Sequence, residues 1–441
     1  MQGYPNYQET NLDWLGKVPA HWSLGKLGAC FSERNEKVSD TEYPALSVTK
    51  NGIVPQMEHV AKTDAGDNRK KVCKNDFVIN SRSDRKGSAG VSEYDGSVSL
   101  ISTVLEPHFF LPNFAHHLFR SYNFQEEFYR FGKGIVADLW STRYAEMKNI
   151  IVPLVPLEEQ EAIARFLDRE TARIDNLITE KQTFIKLLKE KRQALISHVV
   201  TKGLDPNVKM KDSEIEWIGE VPEHWAICKI SYRYEILLGK MLDEKKITGD
   251  HLGYYLRNTD VQWDKVNNSN LPQMDFRPEE IDRYQVQKGD LLVCEGGEIG
   301  RCAVWDFDEP CFYQKALHRV RPYSEKRDYT RFLFYVISDA VNQERFVSRA
   351  NKATIAHLPA DSFRQYRFAF PNFDEQVEVA AFLDREKKKF DRLLAETEES
   401  VRLLQEHRTA LISAAVTGKI DVRSQVPTSP DRPQPQESAH A

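Results

Sequence analysis

Short loops rich in lysine, arginine and asparagine recur along this sequence, and their residue types suit contacts with nucleic acid. In the first third they are TKNG (49–52), RSDRKG (82–87) and FGKG (131–134). A further basic run over 62–74 sets Lys62, Arg69, Lys70, Lys71 and Lys74 against Asp64 and Asp67. Later come RNTD (257–260), EGGEIGR (295–301), Lys315 and RANKAT (349–354). Lysine and arginine neutralise phosphates, and arginine, asparagine or glutamine can read base edges in a groove. One charged loop taken alone is more simply a solvated turn. Recurrence at matching places in two parts of the chain favours function. It selects Lys50, Asn51, Arg82, Arg85, Lys86 and Lys133 in the first part as candidate DNA contacts, and Arg257, Asn258, Arg301, Lys315, Asn351 and Lys352 in the second.

Other chemistries find no support. There is no G-x-x-x-x-G-K-[ST] to cradle phosphates, no G-x-S-x-G elbow and no H-E-x-x-H zinc pair. The [ND]-P-P-[YF] tetrapeptide of adenine methyltransferases is also absent. Asp84, Glu93 and Asp95 form no spacing that would make a nuclease site. His116 and His117 fall in an amphipathic stretch, where histidine is usually packing. The six cysteines (Cys30, Cys73, Cys228, Cys294, Cys302, Cys311) include no C-x-x-C pair, so free thiols in a reducing cytosol are expected. No apolar run is long enough to span a bilayer, and no signal-peptide pattern opens the chain. The net charge of −5 over 441 residues argues against a uniformly basic coat but leaves room for local basic loops.

The elements that must hold these loops are duplicated. DWLGKVPAHWSLGKLG (13–28) and EWIGEVPEHWAICKIS (216–231) share seven of sixteen positions at an offset of 203. Residues 159–201 and 375–417 share 21 of 43 at an offset of 216, including FLDRE (166–170, 382–386) and ALIS (194–197, 410–413). Two ends are held while the middle changes length, as in an internal repeat with a variable insert.

The longer match is helical. Ile163, Leu167, Ile174, Leu177, Phe184, Leu188 and Leu195 recur at heptad-like steps, and Val379, Leu383, Phe390, Leu393, Leu404 and Leu411 repeat the stripe. Pro156 and Pro371 stand where each helix can begin. About 40 residues make a rod of roughly 60 Å, and two such rods can bury both stripes against each other. Before each rod, β-prone runs (43–48, 76–80 and 98–104; 254–258, 290–294 and 318–322) give way to aromatic helices at about 112–130 and 328–349. Trp14, Trp22, Trp217 and Trp225 bracket the repeated turn and are expected to anchor each domain's first strand.

These motifs resemble the specificity subunit of type I restriction–modification enzymes. The W-[LI]-G-x-V-P-x-H-W turn, the E-Q-x-x-[IV]-[AE]-x-F-L-D-R-E helix start, the R-x-A-L-I-S-x-x-V-T helix end and TGKIDVR (417–423) occur in order, most of them twice, from about residue 12 to 423. Departures are small: the first helix leaves as TKGLD, and the two starts read PLEEQ and PNFDEQ.

The resemblance implies an α+β chain with two mixed α/β target-recognition domains in tandem repeat. A long helix follows each, and the two helices pair as an antiparallel coiled coil. The expected boundaries are 1–154 and 216–371 for the domains, 155–204 and 372–420 for the spacer helices, 205–215 for a linker and 421–441 for a disordered tail. Each domain would read one half of a bipartite, gapped site in double-stranded DNA. Two methyltransferase subunits and two restriction/translocase subunits would be the partners in the cytoplasm. They would carry S-adenosylmethionine, ATP and Mg, with no cofactor in this chain. The competing reading is a coiled-coil scaffold that joins partner proteins without touching DNA.

Overall fold

The structure, a computed structural model, describes residues 2–56, 66–134, 140–243, 247–346 and 357–425. Lys62, Asn351, Lys352 and the tail beyond 425 lie outside the described residues. Two compact units are present. Unit 1 comprises Met1–Gln182 with Glu398–Ala441, and unit 2 comprises Thr183–Thr397.

Each unit carries a four-stranded antiparallel sheet of the same strand order. In unit 1 the neighbours run Ala89–Val91, Phe77–Asn80, Ser102–Pro107 and Phe31–Glu33. In unit 2 they run Cys302–Val304, Leu291–Cys294, Leu317–Pro322 and Tyr234–Leu238. A two-stranded ribbon accompanies each, Ser23–Lys26 with Ile151–Leu154 and Ala226–Lys229 with Arg367–Phe370. The repeat therefore extends through the middle, where sequence identity has faded.

Two expected elements are broken. The run 98–104 turns at Ser99, whose carbonyl accepts from Ser102 N, so Gly96–Val98 and Ser102–Pro107 join different sheets. The aromatic stretch 112–130 is two helices, Pro112–Arg120 and Tyr122–Arg130, because Ser121 is extended (ψ 146°) and its hydroxyl caps Phe124 N–H. Its counterpart Thr330–Asn342 is unbroken. Phe31, Phe77, Phe114, Phe119 and Phe124 build the aromatic core of unit 1, and Phe332, Phe363, Phe368 and Phe370 do so in unit 2.

The spacer helices are Leu157–Lys202 and Phe373–Val416, of 46 and 44 residues. Unit 1 holds the beginning of the first with the end of the second, and unit 2 holds the remainder. In unit 1, Arg408 grips Asp175 through two hydrogen bonds (2.8 and 3.0 Å) while Ile163, Leu167, Ile174 and Leu411 are buried. In unit 2, Arg192 donates to Asp391 (2.9 Å) beside buried Leu188, Phe390 and Leu394. The expected stripe differs in places: Phe184 and Leu393 remain 46% and 38% exposed, and Leu394 is buried instead. A helix of 3.6 residues per turn drifts away from a seven-residue repeat, so one residue further on faces inward.

The repeated turn is the joint between head and helix. Its glycines, Gly16 and Gly219, sit at φ 62° and 66°, which a side chain disfavours. Trp22 Nε1 donates to Glu159 (3.1 Å) and Trp225 Nε1 to Glu375 (2.9 Å), while His21 and His224 contact the same carboxylates (2.5 and 2.8 Å). Both glutamates lie in the first turn of a spacer helix. Trp22 and Trp225 therefore hold the helix start and not, as expected, the first strand. Trp217 does pack on a strand residue, Phe368. The neighbouring Gln160 and Gln376 are fully buried and bridge three backbone groups each, reaching Leu111 N–H and Tyr329 N–H just before the aromatic helices. The aspartate of FLDRE completes the joint. Asp168 accepts from Asn113 and His117, and Asp384 from Arg331 and Tyr335.

His318, on the central strand of the unit 2 sheet, is fully buried, and its Nε2 pairs with the Leu358 carbonyl (2.8 Å). Burial pushes its pKa down to about 4 from 6.5. Above pH 6.5 both folded and unfolded states hold it neutral. Between 6.5 and 4 the unfolded chain takes the proton first, so stability falls by an amount approaching about 3 kcal/mol. Urea unfolding at pH 7 and pH 4.5 is expected to show a smaller acid loss in His318→Gln than in the parent.

Candidate nucleic-acid interface

In unit 1 the candidate loops sit at the sheet's edge. Lys50 and Asn51 form the exposed tip of the hairpin joining Leu46–Thr49 to Gly52–Pro55, where Gly52 takes φ 116°. Arg82, Arg85 and Lys86, all exposed, occupy the connection between Phe77–Asn80 and Ala89–Val91. Arg85 lies 3.6 Å from Asp84, and Lys86 pairs with Glu126 and sits over the Tyr129 ring. Lys133 and Arg82 both bridge Ser141 through the backbone, and the exposed Lys133 ammonium is 3.5 Å from Glu146. Pairs this exposed are weak and open readily for a stronger anion.

The described part of the other basic run, 66–74, behaves differently. Arg69 is buried and donates to Ser97 (2.9 Å), while Lys70 and Lys71 pair with Glu33 and Glu36 (3.1 and 3.0 Å). These cations hold the sheet Gly96–Val98, Arg69–Val72, Lys37–Val38 together.

In unit 2 the structure joins Asn258 to Arg301, while the adjacent Arg257 is committed separately to Asp260. Arg257 grips Asp260 bidentately (2.8 and 2.8 Å), and that bond holds its guanidinium above its ordinary pKa. Asn258 donates to the Gly296 carbonyl (2.6 Å) and accepts from Arg301 (2.7 Å), which also reaches Glu298 (3.3 Å). RNTD and EGGEIGR are thereby stitched into one surface. Lys315 is exposed beside them in the turn before Leu317–Pro322, its neighbours Gln314 and Ala316 bonded to Leu256 and Glu295. Asn351 and Lys352 lie outside the described residues.

Sequence reasoning passed over Arg120 and Arg408. Arg120, on the first aromatic helix, donates to His116 and to the Lys50 carbonyl (2.6 Å), steadying the hairpin tip. Burial, then the neighbouring Arg120, push His116 down to about 3, so it stays a neutral acceptor. Arg408 reaches the same place from the second spacer helix. Nothing in the sequence signals a meeting of residues so far apart. Among the described residues, no group of histidine, cysteine, aspartate and glutamate is arranged to hold a metal ion.

The comparisons with known proteins agree with this architecture. A family model for the type I restriction modification DNA specificity domain matches residues 255–402. The MjaVIII specificity subunit of Methanocaldococcus jannaschii is 26% identical over 298 residues, 63% of this chain and 64% of that one. The chain thus matches a little under two thirds of that relative. The putative MjaX specificity subunit of the same organism is 20% identical over 452 aligned residues, 95% of this chain and 97% of the relative. A chain from a solved type I restriction–modification system superposes with a TM-score of 0.70 at 16% identity, covering 91% of this chain and 99% of the other. That last likeness concerns the fold. Taken with the duplicated turn and the duplicated helix, these matches make the chain similar to the specificity subunits of type I restriction–modification enzymes.

Proposed function

We propose that this chain is the non-catalytic reader of a type I complex, each head contacting one half of a bipartite, gapped site in double-stranded DNA. The observation that carries the reading is the repetition of one sheet order in two units, with polar candidate loops at the same connection, RSDRKG between Phe77–Asn80 and Ala89–Val91 and EGGEIGR between Leu291–Cys294 and Cys302–Val304. Two diverged heads in one chain can accept two different half-sites, which a homodimer does not easily do. The six candidates of unit 1 and the six of unit 2 are the proposed contacts, with exposed lysines serving phosphates and the Arg257–Asn258–Arg301 surface serving bases.

The spacer helices fix the separation of the heads and with it the unread gap. Phe184, Leu187 and Leu403 stand 46–54% exposed on these helices and offer apolar anchors to methyltransferase subunits. Those partners, with restriction subunits, would supply S-adenosylmethionine, ATP and Mg in the cytoplasm. No helix among the described residues is long and apolar enough to cross a membrane.

Exchanging residues 13–154 for the matching segment of another such subunit tests the reading. One half of the methylated motif is expected to change while the other half is retained. A change in both halves would sink the modular account.

A further inference from the structure

Unit 1 contains a cleft of about 550 Å³ between its head and the spacer helices, lined by Lys50, Lys86, His116, Arg120, Asp175 and Arg408 among others. Its charges do not balance. Asp175 is occupied by Arg408 through two hydrogen bonds, Asp168 by Asn113 and His117, and Glu126 by Lys86. Arg120 is half-buried and binds only neutral acceptors, the His116 ring and the Lys50 carbonyl, and its Nε is buried without a partner. No carboxylate pairs with it among the described residues. Burial, then Arg408, hold it below the ordinary arginine pKa.

A guanidinium left in this state is unfavourable for the free protein, because it has lost water and the carboxylate that acts on it, Asp175, is already hydrogen-bonded to Arg408. Such a group is explained if its counter-ion arrives with a ligand. An arginine presents a planar fork suited to phosphate oxygens. The rim supplies the context: Lys50 and Lys86 belong to two of the loops proposed to contact DNA.

We infer that this cleft takes a phosphodiester of the DNA backbone, gripped by Arg120 with Lys50 and Lys86 at its rim and Arg408 behind. The inference rests on the DNA-reader function and adds a phosphate clamp shared by head and spacer. Because one wall is spacer helix, the clamp fixes the head-bound strand relative to the rod. A contact of this kind carries no sequence information and sets the register in which the reading loops meet the groove.

The test uses the full chain, in the complex in which it is isolated, with Arg120→Met and Arg120→Lys. Binding to a duplex of unrelated sequence and to one carrying the site is followed against KCl. Arg120→Met is expected to weaken both duplexes alike and to flatten the slope of log K against log salt by about 0.9, the loss of one phosphate contact. Its melting temperature should hold or rise, since a buried unpaired charge has gone. Arg120→Lys should keep most of the slope. An unchanged slope and affinity in Arg120→Met would overturn the clamp. So would a lowered melting temperature with loss confined to the specific duplex, which would leave Arg120 only positioning the hairpin. If ATP, used as a free-phosphate probe, bound through Arg120 while the DNA slope stayed unchanged, the cleft would belong to a free nucleotide. Failure of the unaltered protein to bind any DNA would fall on the reader function itself.

Discussion

Trp225→Ala is expected to destabilise unit 2 by about 3–5 kcal/mol, the range for deleting a large buried aromatic side chain. The indole is fully buried, lies against Phe332 (ring centroids 6.2 Å apart) and donates to Glu375. Its loss opens a cavity and removes one of the donors that hold the start of the second spacer helix. The matching Trp22→Ala should cost less, because the Tyr4 hydroxyl also donates to Glu159 (2.9 Å) and would keep that carboxylate bound. Urea unfolding of the two variants checks the ranking. Equal, small losses would show that the repeated turn does not organise the joint.

Asp328→Ala is expected to cost a similar 3–5 kcal/mol, by stranding a buried charge. Asp328 is 2% exposed and accepts from Arg233, itself 8% exposed and stacked on the Phe370 ring (4.5 Å). The offset of 203 sets Cys30 opposite Arg233, and the matching bonds of Leu111 N–H to Gln160 and of Tyr329 N–H to Gln376 set Phe110 opposite Asp328; both unit 1 residues are buried. One unit thus carries an ion pair where the other carries apolar side chains. Because desolvation offsets much of a buried pair's attraction, the double replacement Arg233→Cys with Asp328→Phe should recover most of what Asp328→Ala loses. Urea midpoints of the single and double variants measure this, and a double variant weaker than the single one would refute it.

The long helices were legible because their apolar period runs over more than forty residues, and no short-range preference competes with it. The hydrophobic spacing of unit 1's aromatic stretch predicts one continuous helix; only Ser121, a residue suited to an N-cap, marks the break. The strand run 98–104 failed for a related reason. VSLISTV is apolar enough for one strand, yet its two serines bracket a turn.

At the interface, residue type identified basic loops but could not separate a free cation from a committed one. Two commitments were visible in spacing: Asp260 follows Arg257 by three residues and Glu298 precedes Arg301 by three. Arg120 and Arg408 could not be found this way, since their meeting depends on the second helix returning to the first head. The role of Glu159 and Glu375 was hidden for the same reason. The motif was plain, but its partner is the turn at the other end of the domain.

The most direct test of the reader function is a genome-wide map of N6-methyladenine in cells with intact partner genes, made with and without this chain. One bipartite, gapped motif that disappears with the chain is the predicted result. A methylation map unchanged by its loss, with the partner subunits expressed and active, would contradict the account and favour a scaffold that never touches DNA.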